Sequence, residues 1–208
     1  MTLIINTDWH SLEHAAGSAS DVPQMLHNLL SPNRSVRDEA YRDINVLTDG
    51  GFRAAYSATV PALNILLQYL EQPDTPAKSQ LIVLIATIFA CRPQVDSHAH
   101  PSLHPKVIEA YQQVLAQRGK NIESAQQEEQ TILLEIRRIS PRYRFTLLPY
   151  LCDPDPTCRA CVAKALKYIG ATDEEIVTGL KTARAAESED FPRQELDEAI
   201  RKLTQKEA

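Results

Sequence analysis

Three histidines, His98, His100 and His104, stand as H-x-H-x3-H in the proline-rich stretch from Arg92 to Pro105. Imidazoles at that density could bind a transition metal. Only Asp96 is at hand as a further donor, and the stretch reads as an exposed linker, so no metal is expected there. His10 and His14 sit four residues apart, as two zinc ligands on a helix do. The glutamate of an H-E-x-x-H site is missing, however, and Trp9, Leu12 and Ala15 predict a packed N-terminal cap helix. Cys158-x2-Cys161, with Cys152 nearby, has the spacing of a redox pair. Such a pair works at a helix start that follows a strand; here Cys161 flanks the apolar position Val162 of a helix. Small buried hydrophobes are the expected role.

The segment Arg137-Arg138-Ile139-Ser140-Pro141-Arg142-Tyr143-Arg144 is of another kind, because its four arginines recur nowhere else in the chain. Arginine gives bidentate contacts to carboxylates and, with tyrosine, dominates interface hot spots. Arg137, Arg138, Arg142, Tyr143 and Arg144 are therefore the expected partner-binding residues, displayed at a corner between helices. No nucleophile elbow, phosphate-binding loop, dinucleotide fingerprint or spaced acid pair is present. The expectation is a protein that is not an enzyme and uses no cofactor.

The elements that must carry these residues repeat. Leu70-Glu71-Gln72-Pro73-Asp74-Thr75-Pro76-Ala77-Lys78 aligns without gaps on Leu151-Cys152-Asp153-Pro154-Asp155-Pro156-Thr157-Cys158-Arg159. Leu30-Ser31-Pro32-Asn33-Arg34-Ser35-Val36-Arg37 is a third copy, one residue shorter. Three, seven and ten residues after each terminal basic residue the chain is apolar: Ala40, Ile44 and Leu47; Leu81, Ile85 and Ile88; Val162, Leu166 and Ile169. Those offsets trace one face of an α-helix. Another apolar helical stretch precedes each corner. The unit is helix, Pro/Asp corner, helix, with Asn33, Asp74 and Asp155 placed to cap the second helix. Arg37, Lys78 and Arg159 recur at one place in the repeat, which predicts a ladder in which each bridges its neighbour's corner.

The corners recur with a period near 40 residues, the range of HEAT repeats. The expected fold is all-α: a single-domain α-solenoid of about five HEAT-like antiparallel helix pairs. Its units fall at 21–48, 59–91, 105–139, 145–170 and 173–204, with a linker at 92–104. The third is divergent, and the last carries the polar outer face of a terminal cap.

Bulk properties agree. The chain is 43% hydrophobic, 24% charged and only 6% aromatic, with 6 glycines against 13 prolines, which suits helices joined by stiff corners. The formal charge of −5 is uneven: residues 137–168 hold seven basic and two acidic side chains, residues 169–208 six basic and ten acidic. A mildly acidic chain with one basic segment is a poor nucleic-acid binder, because phosphate contacts need a broad positive face. The start, MTLIINTDWH, lacks a signal peptide's basic and apolar regions, and the longest apolar run, Leu81 to Cys91, is too short to cross a bilayer. A cytoplasmic protein without a membrane partner is expected.

One segment is more specific. Trp9, Leu12, His14, Ala15, Gly17, Ala19, Asp21 and Pro23 form W-x2-L-x-H-A-x-G-x-A-x-D-x-P, followed by the first repeat and by Tyr56-Ser57-Ala58-Thr59-Val60-Pro61-Ala62-Leu63. This order resembles a bacterial family of HEAT-like repeat proteins. It departs from the family at Thr48-Asp49-Gly50-Gly51, where members often have a His-Gln-Gly turn. The resemblance implies a protein-binding solenoid, and some related small solenoids are immunity proteins that block a secreted toxin. The function expected is therefore an immunity-type protein that binds a protein partner, a cognate toxin. A scaffold or adaptor of the same fold is the alternative, and a HEAT-like DNA glycosylase a more remote one that its acidic ends disfavour.

Overall fold

The computed structural model describes residues 6–51, 54–95, 100 and 102–205. Nine helices make up most of it: α1 (Val22–Asn28), α2 (Arg34–Asp43), α3 (Thr59–Glu71), α4 (Lys78–Phe89), α5 (Pro105–Gln117), α6 (Ile122–Ile139), α7 (Pro156–Ile169), α8 (Glu174–Ala186) and α9 (Asp190–Thr204). Between α6 and α7, residues Ser140 to Cys152 form 3-10 turns around a single α-turn at Arg144–Leu147. Pro141 and Pro149 in that stretch cannot donate the backbone hydrogen bonds of a continuous helix. Consecutive helices pack as pairs around short corners, an α-solenoid. Among the described residues, no helix is long and apolar enough to cross a membrane.

The corners explain the repeat. Asn33 accepts a hydrogen bond from the Ser35 amide at 2.9 Å and Asp155 one from the Thr157 amide at 2.8 Å, so both cap a free helix start. Asp74 does not: α4 starts at Lys78, after Ala77 in the left-handed conformation at φ 51°. The basic residues do something other than the predicted ladder. Arg37 Nη1 donates to the carbonyls of Ser31 and Pro32, at 2.7 and 3.0 Å. Arg159 Nη1 donates to those of Asp153 and Pro154, at 2.8 and 3.1 Å. Each guanidinium thus closes its own corner, six and five residues upstream. Among the described residues only Arg159 also bridges to the next corner, holding both carboxylate oxygens of Glu187 at 2.7 and 2.9 Å.

A further copy, missed in the sequence, lies in the last corner. Arg193 Nη2 donates to the carbonyls of Glu187 and Ser188 at 3.0 and 3.1 Å, again six and five residues upstream. Leu196, Ile200 and Leu203 follow it at offsets three, seven and ten. Lys78 makes no such contact among the described residues. An ammonium lacks the planar fork that spans two carbonyls, and at that corner the Thr75 hydroxyl donates to the Tyr69 carbonyl instead.

The main core is continuous. In α4, Leu81 to Ala86, Ile88 and Phe89 are all buried, as befits a helix covered on every side. One layer holds α2, α4, α7 and α9, with α4 packed directly on α7 and α7 on α9. Gln80 Nε2 donates to Asp38 of α2 at 2.9 Å, and Ser79 Oγ to Asp153 at 2.6 Å. The second and fourth corners are therefore neighbours in space, although the third pair lies between them in sequence. The other layer holds α1, α3, α6, the Ser140–Cys152 segment and α8. Only α6 of the third pair enters the stack, burying Ile132, Leu133 and Ile136. Helix α5 buries Leu115 alone and stays outside.

The N-terminus is not the predicted cap helix. A 3-10 turn at Trp9–Ser11 leads into a two-strand hairpin, β1 (Glu13–His14) with β2 (Gly17–Ser18). Gly17, at φ 125°, makes the reversal that a side chain would resist. His14 is 3% exposed; its Nδ1 accepts from the Ala16 amide at 3.0 Å and its Nε2 meets Asp21 at 2.9 Å. Trp9 and Ala19 pack into the core beneath. The residues of the W-x2-L-x-H-A-x-G-x-A-x-D-x-P segment thus build a brace across the first unit.

The corner geometry predicts unequal effects. Arg159→Ala should cost about 2–4 kcal/mol, since it strands two carbonyls and the nearly buried Glu187. Lys78→Ala should stay within about 0.5 kcal/mol. The Arg159 hydrogen bonds, aided by the Glu189 and Ser188 amides, hold the Glu187 carboxyl below the usual carboxylate range. A depressed folded-state value stabilises at neutral pH and is lost as pH falls through it. Urea melts should show the wild type losing stability from about pH 5 downward more steeply than Arg159→Ala.

Candidate partner-binding surface

The five residues singled out in the arginine-rich segment divide into two groups. Arg137 and Arg138, on the last turn of α6, are exposed, as is Arg142 beyond it. Arg138 makes an exposed contact with Glu135 at 3.6 Å, of the kind that contributes little. Arg137 and Arg142 have no ion-pair partner among the described residues. Tyr143 and Arg144 instead turn inward and hold the corner together. The Tyr143 ring lies 6.4 Å from that of Phe89, and its hydroxyl donates to Glu71 at 3.4 Å. Burial and the Glu71 charge push its phenol up. Arg144 donates to the Pro141 carbonyl at 2.7 Å and pairs with Asp173 at 2.8 Å.

That division extends along the basic segment. Arg144 pairs with Asp173, Arg159 with Glu187, Lys164 with Glu195 at 2.5 Å, and Lys167 with Glu198 at 2.7 Å. The charge excess of residues 137–168 is neutralised largely by the acidic last pair: Asp173 and Glu187 at the two ends of α8, and Glu195 and Glu198 on α9. What remains outside this network is Arg137, Arg138 and Arg142.

Apolar side chains accompany them. Leu134, one turn before Arg138, is 62% exposed, and Phe145, whose ring lies 4.9 Å under the Arg144 guanidinium, is 43% exposed. Val107 and Val114 of α5 are also exposed. Four of the five large apolar side chains that the described residues expose thus fall between 107 and 145; the fifth is Phe191. Sequence reasoning missed Leu134 and Phe145. The signal was available for Leu134: the buried positions of α6, Ala125, Ile132, Leu133 and Ile136, leave it on the opposite side.

A cavity of about 280 Å³ lies where α5 and α6 meet the rest of the chain, lined by Glu13, Ala54, Ala55, Tyr111, Leu115 and Glu129 among others. Glu129 is 6% exposed and accepts from the amides of Gln94 and Val95 at 2.7 and 3.2 Å. Burial, with the Glu129 charge next, pushes the Tyr111 phenol up. Glu129 was legible too, as a carboxylate four residues after Ala125 and three before Ile132 on a buried face.

Among the described residues, the other candidates of the sequence are not brought together. His98 and Asp96 lie outside the described residues. His100 pairs with Ser102 at 2.6 Å, and His104 accepts from the Lys106 amide at 3.3 Å as the cap of α5. His10 is exposed and His14 buried in the hairpin brace. Among the described residues, no group of three His, Cys, Asp or Glu is placed to hold a metal ion. Cys158 is buried on α7, and burial, with Asp153 and Asp155 nearby, pushes its thiol up to about 12. A thiol so held stays protonated and is a poor redox nucleophile.

No protein-family model matches the chain. No curated protein matches its sequence. Among solved structures it is similar to a designed armadillo repeat protein, YIII(Dq)4CqI, at 16% identity and a TM-score of 0.25, over 88% of this chain and 99% of that one.

The split within the arginine segment is testable by stability alone. Arg144→Ala should cost about 1–3 kcal/mol, since it removes a half-buried ion pair and a carbonyl contact. Arg137→Ala, Arg138→Ala and Arg142→Ala should each shift stability by about 0.5 kcal/mol or less. Equal effects in urea titration would place all four on one surface.

Proposed function

We propose that this protein is a non-enzymatic binding solenoid that docks a protein partner on the surface between Val107 and Phe145. The observation that carries the reading is the coincidence of uncovered apolar side chains with unneutralised arginines in one stretch of the chain. Well-packed interfaces centre on such pairs: apolar anchors lose water, and arginines at the rim find carboxylates. An acidic partner surface is the complement. Nucleic acid fits less well, because most other cations of the basic segment are held by the chain's own carboxylates and the net charge is −5. Of the protein-binding roles, we favour the immunity type, in which the bound partner is a toxin held inactive; support for it comes from the resemblance of the N-terminal segment.

Affinity capture from the native host would identify the partner, and its nature separates immunity from adaptor roles. A secreted toxin whose activity is blocked supports the first; a subunit of a standing complex supports the second. With the partner in hand, Arg137→Ala, Arg138→Ala and Arg142→Ala together should slow association at least tenfold in low salt, and the deficit should shrink in high salt. Leu134→Ala and Phe145→Ala should act on dissociation instead. Normal binding by both sets of variants would remove this surface from the interface.

A further inference from the structure

We propose that α5, with the corner that follows it, is a strap that opens away from the stack as a unit and is latched shut by Glu129. This goes beyond the binding reading and does not depend on it. The main core runs unbroken through α1–α4, α6 and α7–α9, but α5 has no residue in it. Its Leu115 packs instead in a separate small cluster with Val95 and Ala125, flanked by Tyr111 and Ile122. So few buried apolar groups mark the low-stability end of a structure, where local opening is cheapest.

Polar contacts do the fastening. The Glu129 carboxylate takes the amides of Gln94 and Val95, fixing the chain where it leaves the core before α5. Beyond α5, Lys120 Nζ sits between Glu13 at 2.7 Å and Glu128 at 2.6 Å, and Arg118 Nη2 donates to the Ala15 carbonyl at 3.1 Å. The strap is thus held at both ends, to α6 and to the N-terminal hairpin, and bridges the cavity between them. Glu129 is the deeper fastening, since its two oxygens hold two amides in a nearly dry site, where a lost hydrogen bond is most costly. Opening would uncover the Ala54, Ala55 and Ala125 walls without disturbing the stack.

Native-state hydrogen exchange of the whole protein, read by mass spectrometry, tests this. Amides of α5 should exchange at least 100-fold faster than those of α4 and α7. Glu129→Gln should speed exchange in α5 and at Gln94 and Val95 at least a further tenfold, with α4 and α7 unchanged. Lys120→Ala loosens the other fastening and should move exchange the same way even if Glu129→Gln folds poorly. Protection of α5 equal to that of α4 and α7 would overturn the strap. Fast exchange in α5 that neither variant changes, or acceleration spread evenly over all helices, would overturn the latch.

Discussion

A tight corner between helices strands backbone carbonyls that no helix can use, and a buried carbonyl without a donor costs more than most side-chain contacts return. Here a guanidinium folded back over the corner supplies the donor, at Arg37, Arg159 and Arg193. The register of each second helix follows from this. With arginine fixed on the carbonyls six and five residues upstream, the residues three, seven and ten downstream face the neighbouring helices. Of the four corners that share the repeat among the described residues, the one at Lys78 has no arginine and is reshaped by Thr75 and the left-handed Ala77. It leads into α4, the helix buried on every side. Hydrophobic burial there is large enough to fix the helix without a closed corner.

Charge works on a longer scale. Read along the chain, a basic segment beside an acidic one looks like two surfaces meant for other molecules. In space they face each other: Arg159 reaches Glu187 in the last corner, and Lys164 and Lys167 reach Glu195 and Glu198 across the α7–α9 contact. These pairs are mostly half-buried or deeper, so solvent screens them less than ordinary surface pairs. The last helix pair therefore closes the stack through complementary charge as well as through Leu196 and Leu203. Only the arginines at the end of α6 and just beyond fall outside this match.

The parts of the fold governed by local chemistry were legible in the sequence. Proline and Asn/Asp mark the corners, and the three-seven-ten apolar offsets mark the buried faces, because capping and helical periodicity act within a dozen residues. The hairpin brace was not legible. Its His14–Asp21 contact spans seven residues in a pattern that an amphipathic turn mimics equally well. Nor could the arginine segment be divided in advance. Arg142 and Arg144 are alike as residues, and only the fold decides that Asp173 stands beside the second. Arg193 could have been found by its offsets, but its corner carries Glu and Ser where the others carry proline, which hid the repeat.

The third pair shows how a packing default and a surface arise together. Two stacked layers need one helix from each pair per layer, and α5 is too polar to serve: its inward side offers Leu115 with partly covered Ile108 and Tyr111. α4 therefore closes directly on α7, and α6 is drawn into the layer of first helices, filling the place between α3 and the broken segment. A helix left without its layer partner keeps its outer residues uncovered. That is where Val107, Val114 and Leu134 stand exposed, and where the arginines at the end of α6 and just beyond it escape the internal charge match. The interruption of the repeat thus accounts for the uncovered apolar side chains of α5 and α6 and for the cationic end of α6 beside them.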